Sequence, residues 1–377
     1  MKNIYIKKLV LFSLIAAGLF QVIANCEKKN GRGPDKTPVN GEITCRLLTD
    51  AGGVDDRSFA AAAWRGILQY YGDVWDNTAG RGKYYDVVTA LTHDQYSPNI
   101  QLATDEKFDL IIVTGFTFAS ALAEAAGKNP DQKYLIVDAD WLDLPNGLQT
   151  TFAEHEGSFL VGAAAALKAI EDNIPNPRFG FIGGMASSTI TKFEMGFIQG
   201  ILSILPNTRI DDYYVGSWND PGLAKAQAKN WYDQGVFMIY SAAGMSGNGT
   251  IAQAKEYRAQ GRNVWAIGVD SDQFEEGLYN AAESAVYTSM LKKVEMAVLY
   301  GLQSVKNGSF RGEVINFDLK ADGVGFSAAN PALSGNIRSK VNEAAQKIIN
   351  GQITVVPTYA AAGKFPGFPQ NLQARDD

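Results

Sequence analysis

Histidine is scarce in this chain: 377 residues hold only two, His93 and His155. They lie far apart and have no cysteine companions, which argues against a zinc site. Cysteine is equally rare, with only Cys26 and Cys45. Two thiols give no disulfide framework, and Cys45, inside an apolar run, reads as a small buried hydrophobe. Positive charge is in deficit, 34 Lys and Arg against 40 Asp and Glu, for a formal charge of −6. A nucleic-acid partner is therefore not expected, because phosphate backbones need clustered cations. The phosphate-loop order GxxxxGK[ST] and the nucleophile elbow G-x-S-x-G are missing as well, so neither nucleotide binding nor serine chemistry has a foothold. No metal, cofactor or catalytic residue is expected.

What is present describes an ordinary globular protein, 46% hydrophobic and 20% charged,. Its length exceeds one ordinary core and predicts two lobes of roughly 120–180 residues each. The first residues differ in kind. Lys2, Lys7 and Lys8 precede the apolar run 9–24, which meets Cys26. A basic start followed by a short apolar core predicts an export signal over 1–25 and not a transmembrane span. Ile23-Ala24-Asn25-Cys26 resembles a bacterial lipobox, departing from it at Asn25, and the resemblance implies lipidation of Cys26. Residues 26–41 then read as a flexible tether. The protein is expected outside the cytoplasm, lipid-anchored at the cell membrane on its periplasmic or outer surface.

Beyond the tether, apolar runs of strand length alternate with segments of helical period. The strand-like runs are 43–49, 84–90, 110–114, 134–138, 179–182, 212–215, 236–241 and 264–269; the helical segments include 60–70, 119–127, 156–171, 193–205, 224–234 and 251–260. Such alternation predicts an α/β fold with parallel sheets and helices on both faces. Pro175 and Pro177 cannot continue a helix, which places the lobe boundary at 173–177. Residues 285–289 lead into a helical stretch, 290–306, expected to cross back to the first lobe. The expected division is 42–172 plus about 286–310 for the first lobe, 178–285 plus about 311–360 for the second, and a tail over 361–377.

Several predicted strands end in suggestive chemistry. Asp50 closes the first, within the acidic, glycine-rich turn Thr49-Asp50-Ala51-Gly52-Gly53-Val54-Asp55-Asp56-Arg57-Ser58-Phe59. Gly115 and Phe116 follow the third, Asp138 ends the fourth, a glycine loop from Gly244 follows Tyr240, and Asp270 ends another. Open α/β proteins bind ligands beyond the carboxyl ends of their strands, and clefts between lobes are preferred sites. Three carboxylates with aromatic rings suit a neutral, hydroxyl-rich ligand bearing an aromatic ring, a nucleoside better than a nucleotide. Asp55, Asp56 and Ser58 read mainly as helix-start residues.

The first turn, together with Glu156-Gly157-Ser158-Phe159-Leu160-Val161-Gly162, Gly244-Met245-Ser246-Gly247-Asn248-Gly249, Ile267-Gly268-Val269-Asp270-Ser271-Asp272-Gln273 and Thr288-Ser289-Met290-Leu291-Lys292-Lys293, resembles the basic membrane lipoprotein family. That family includes purine nucleoside receptors, the substrate-binding components of ABC transporters. The resemblance runs in order from about Glu42 to Pro357 and implies a periplasmic-binding-protein type I fold with two Rossmann-like lobes. It implies that Asp50 and Asp138 address the base edge, that Phe59 covers one face of the base and Tyr240 the other, and that Asp270 and Lys292 hold the ribose hydroxyls with help near Gly244. This chain departs from the pattern at Ala60, where relatives carry Asn, and at Trp218, where they show Phe.

The implied partners are a nucleoside, an ABC permease with its ATPase, and the membrane through the lipid; the protein is expected to be monomeric. One alternative is a surface receptor or adhesin of the same fold with another ligand. Another is a nucleoside hydrolase, whose acidic loop D-x-D-P-G-x-D-D the first turn superficially matches. Leu48 stands at its first aspartate position and an extra residue separates Asp50 from Asp55, which defeats a calcium site,.

Overall fold

A computed structural model describes residues 42–362 together with 369 and 372. The export signal, the tether with Cys26, and most of the expected tail lie outside the described residues. The chain begins with β1 (Cys45–Thr49), α1 (Phe59–Tyr71), β2 (Tyr85–Thr89), α2 (Tyr96–Asp105), β3 (Leu110–Thr114), α3 (Ala119–Lys128), β4 (Tyr134–Val137) and β5 (Gly147–Phe152). It continues through α4 (Glu154–Glu171), β6 (Arg178–Gly183), α5 (Ser188–Leu202), β7 (Arg209–Tyr214), α6 (Pro221–Asp233), β8 (Val236–Ala242), α7 (Asn248–Ala259), β9 (Trp265–Asp270) and β10 (Val286–Lys292). Then come α8 (Val294–Lys306), β11 (Glu313–Phe317), β12 (Val324–Phe326), α9 (Gly335–Ile349) and the single turn α10 (Tyr359–Ala362).

These strands form two six-stranded sheets, β11-β5-β4-β3-β1-β2 and β12-β10-β9-β8-β6-β7. The first is parallel throughout, and in the second only β12 runs antiparallel, against β10. Strands such as β1 and β3 are buried at every residue because helices cover both faces, which is why they read as unbroken apolar runs,.

The crossings between the sheets differ from the sequence-based division in three ways. The first falls at Ala153, between β5 and α4, and not at the prolines; α4 packs on β10 and β12 of the second sheet. Pro175 and Pro177 merely turn the end of α4 into β6,. Residues 286–292 are a strand of the second sheet, paired to β9, and the return to the first lobe comes only with α8, which packs on α1, β3 and β4. β11, assigned above to the second lobe, joins the first sheet beside β5. The three connections run side by side: Ala153 N–H donates to Phe317 O (3.1 Å) and Lys293 N–H to Gly323 O (2.9 Å).

Close backbone approach fixes the layer behind the second sheet. A Cβ on Gly196 or Gly200 of α5 would lie 2.1 Å from the carbonyl oxygen of His155 or Phe159 on α4, so only glycine lets these two helices meet,. The tight pair holds the first turn of α4, with Glu154, beside the crossings.

Candidate functional site

The cleft between the carboxyl edges of the two sheets is built first from the turn after β1. Asp50 accepts a hydrogen bond from the Gly52 N–H (3.0 Å) and is half-buried, and burial raises its pKa. Asp56 is the cap of α1: Oδ1 accepts from the N–H groups of Ser58 (2.9 Å) and Ala61 (3.0 Å), and Oδ2 from that of Ala60 (2.8 Å),. Burial outweighs these bonds and pushes Asp56 up to about 6. Ser58, the residue before the helix, caps nothing. Its hydroxyl instead donates to Asp270 Oδ2 at 2.6 Å, reaching across from the first lobe to the second.

Two strand ends supply the central carboxylates. Asp138 follows β4 and Asp270 ends β9, and both adopt left-handed backbone, φ 69° and 63°. Aspartate tolerates that conformation better than most residues, and the turn aims its carboxylate into the cleft. Each is buried, and burial pushes each up to about 6. In each, one oxygen is bonded and Oδ1 has no partner.

Lys292, at the end of β10, is fully buried between acids. Its Nζ donates to Asp138 Oδ2 at 2.7 Å and lies 3.0 Å from Glu154 Oε1. Burial alone would lower the lysine, but Asp138, Glu154 and Asp270 outweigh it and hold Lys292 charged, above its ordinary value. Burial likewise opposes the charge on Glu154, yet Lys292 and Lys192 keep that carboxyl below the usual range. The ammonium also sits 4.8 Å from the centroid of Phe59 and 5.4 Å from that of Phe193, within cation–π range,.

Aromatic walls complete the cleft. Phe59 opens α1, and Trp218, before α6, stands edge-on to Phe116 at 6.2 Å between centroids. A Cβ at position 184 would fall 2.2 Å from the Trp218 ring, so Gly184 is what lets the indole lie against the second sheet's edge.

Asp50, Phe59, Gly115, Phe116, Asp138, Trp218, Gly244, Asp270 and Lys292 all line this one cavity, which encloses about 660 Å³ of empty space, part of it open to solvent. Tyr240 does not. It is fully buried in β8 two residues short of the strand end, its hydroxyl paired with Ser158 Oγ (3.2 Å) and its ring against Phe181 and Phe197. The expected second ring is a core residue, and Trp218 and Phe193 are the second-lobe aromatics in the cavity. The sequence reading also missed Thr189, Ile190 and Phe193, which enter from the start of α5, and Glu154 behind Lys292. Nothing in their local pattern separates them from ordinary helix residues. Lys292 is bonded to Asp138 and Glu154 and meets Asp270 through charge alone. Among the described residues no cluster of His, Cys, Asp and Glu has the arrangement to hold a metal ion.

A family model described as "ABC transporter substrate-binding protein PnrA-like" matches residues 44–358. A Listeria innocua protein named "CD4+ T-cell-stimulating antigen" is 35% identical over 92% of this chain and 97% of its own. The "ABC transporter nucleoside-binding protein BmpA" of Lactococcus lactis is 33% identical over 93% of this chain and 99% of its own, and "Basic membrane protein A" of Borreliella burgdorferi 29% over 95% and 98%. Among solved structures, an ABC transporter solute-binding protein from Aeropyrum pernix superposes with TM-score 0.72 at 26% identity, covering 84% of this chain and 94% of that one. An Actinobacillus succinogenes periplasmic solute-binding protein with bound D-allose, 14% identical, shares the fold at TM-score 0.54 over 74% of this chain and 96% of its own. The two-lobed architecture is the type I periplasmic-binding-protein fold.

Proposed function

We propose, from the premise that this chain belongs to the PnrA-like family of ABC transporter substrate-binding proteins, that its cleft binds a nucleoside, a purine nucleoside above others. As a family member it is a substrate-binding protein and not an enzyme. The observation that carries the nucleoside reading is the pair of buried carboxylate oxygens without partners, Asp138 Oδ1 and Asp270 Oδ1, inside an aromatic-walled cavity. A buried acceptor left unmade costs about 1–3 kcal/mol, so the site favours a ligand that brings hydrogen-bond donors to both.

A nucleoside does so with its sugar hydroxyls and with the N–H groups on its base edge. In this reading Asp270 takes the ribose hydroxyls, Asp138 and Asp50 address the base, and Phe59 and Trp218 cover its faces. The third Lys292 N–H is left for a ligand acceptor. With three carboxylates around one lysine, the cluster disfavours a phosphate, which separates nucleosides from nucleotides. The name of the Lactococcus relative supports the same ligand class.

Titrating the protein's tryptophan fluorescence with inosine, guanosine, adenosine and their 5′-monophosphates tests this. Saturable quenching by nucleosides, lost in Trp218→Phe and absent with the monophosphates, is expected. Equal responses to nucleosides and nucleotides would defeat the reading.

Delivery to an ABC permease and anchoring through a lipid on Cys26 belong to the same proposal. Co-purification with a permease and its ATPase checks the first, and release of Cys26→Ala from the membrane fraction checks the second.

A further inference from the structure

Gln273 lies in the motif Gly268-Val269-Asp270-Ser271-Asp272-Gln273, yet it is absent from the cavity lining. It is buried, and its amide works in two directions. Oε1 accepts the N–H of Val269, the residue before Asp270, at 2.9 Å, and Nε2 donates to the carbonyl of Arg57 in the opposite lobe at 3.1 Å. Gly268 makes the room: a Cβ there would meet Gln273 Oε1 at 2.8 Å and Ser289 Oγ at 2.5 Å.

The carbonyl it reads lies just ahead of α1, beside the helix's cap. α1 begins at Phe59, so the carbonyls of Asp56 and Arg57 lie ahead of its ladder, whose first bond is Ala62 N–H to Ser58 O (3.1 Å), and the N–H groups of Ala60 and Ala61 need a cap,. Here the Asp56 carboxylate takes both N–H groups, and Arg57 turns left-handed at φ 61°. Two backbone acceptors outside the helix ladder thus face the second lobe. Asn248, at the start of α7, donates to the Asp56 carbonyl at 3.1 Å, as Gln273 does to that of Arg57, and the two amides lie 3.4 Å apart. Next along the chain, Ser271 Oγ donates to the Ser58 carbonyl at 3.0 Å.

We infer that Gln273 and Asn248 are positioning residues of a neutral latch, which closes the second lobe onto the two carbonyls just ahead of α1 and sets how long the ligand stays bound. The latch touches no ligand. It acts through Phe59 and Asp270, which it draws together from opposite lobes. Its donors are amides and its acceptors main-chain oxygens, so it carries no net charge for salt to screen.

The inference deepens the binding reading and rests on it only where dissociation is measured. Gln273→Met with Asn248→Leu removes both amide donors, and the acceptor of the Val269 N–H, at near-constant bulk. Stopped-flow with a purine nucleoside should show dissociation about tenfold faster and association within twofold of wild type, roughly what losing one to two net hydrogen bonds gives. Misfolding alone would lower the fraction of competent protein without changing the dissociation rate of the rest. Gln273→Glu, which keeps the acceptor for Val269 and loses the donor, should reproduce part of the acceleration. An unchanged dissociation rate in the double variant would overturn the inference. Small-angle scattering of ligand-free protein supplies the independent arm, with a larger radius of gyration expected for the double variant. Should the wild type bind no nucleoside, the ligand reading falls, and unchanged scattering would then overturn the latch on its own.

Discussion

The strand ends at Asp138 and Asp270 are counterparts. β4 and β9 occupy the same place in the two sheet orders, both aspartates are left-handed, both are buried, and both keep Oδ1 without a partner. Each is also clasped by the opposite lobe: Asp138 by Lys292 of the second sheet, Asp270 by Ser58 ahead of α1. They differ in the clasp's charge. Asp138 shares a buried ammonium with Glu154, whereas Asp270 is held by a neutral hydroxyl. One site thus combines a strong, fixed ion cluster with a lighter contact that a competing hydroxyl can replace, and the lighter one faces the sugar in our reading.

The contrast is broken most severely at Lys292. Replacing it with Met leaves Asp138 buried without its cation and Glu154 with only the more distant Lys192, and such losses cost about 3–5 kcal/mol,. Denaturant unfolding should show it; a loss below 1 kcal/mol would mean the cluster is not held as described. Ser58→Ala removes only the neutral clasp and should cost about 1–2 kcal/mol by the same measurement. Equal losses for the two variants would erase the distinction.

Asp270→Ala should weaken nucleosides by about 1.5–3 kcal/mol while leaving free bases nearly unchanged, since only the sugar loses its acceptor. Calorimetry with both ligand types checks this, and equal losses would remove Asp270 from the sugar. Phe59→Ala and Trp218→Ala should each weaken every base by about 1–3 kcal/mol, whereas Tyr240→Phe, inside the core, should leave affinity untouched.

The smallest expected effect is pH dependence. In the empty protein Asp138 and Asp270 stand at about 6, above their unfolded value near 4, so they hold protons that the unfolded chain has lost,. Their contribution to stability is therefore present below about pH 4 and fades as pH rises through 6. Ligand donors reverse the preference by favouring the ionised form. Affinity should be level above pH 7 and fall as pH drops through 6, with proton release on binding near pH 6. A flat profile from pH 5 to 8 would exclude both aspartates from the ligand.

Much of this was legible in the sequence because central parallel strands are apolar at every position. β5 escaped notice for the opposite reason. It is wholly buried yet carries Gln149, Thr150 and Thr151, each satisfied locally, Gln149 by the backbone of Leu142, Thr150 by the Ile136 carbonyl and Thr151 by Asn316. Helix α2 was hidden by Pro98, which sits in its first turn, where proline is tolerated,. The crossing at Ala153 carries no proline or glycine to mark it. Asp50, Asp138 and Asp270 stood out because a carboxylate ending an apolar strand is costly without a purpose. Tyr240 misled because it shares a face of β8 with Ala242 of the cavity wall yet lies two residues deeper, packed under α4 and α5,.

The central claim is that this cleft takes a neutral nucleoside. Isothermal titration of the protein, unfolded and refolded to strip any carried ligand, against purine and pyrimidine nucleosides, free bases and ribose tests it most directly. Micromolar or tighter binding of purine nucleosides, with weaker heats for the bases and ribose and no hydrolysis, is predicted. A folded protein silent toward every nucleoside would contradict the claim.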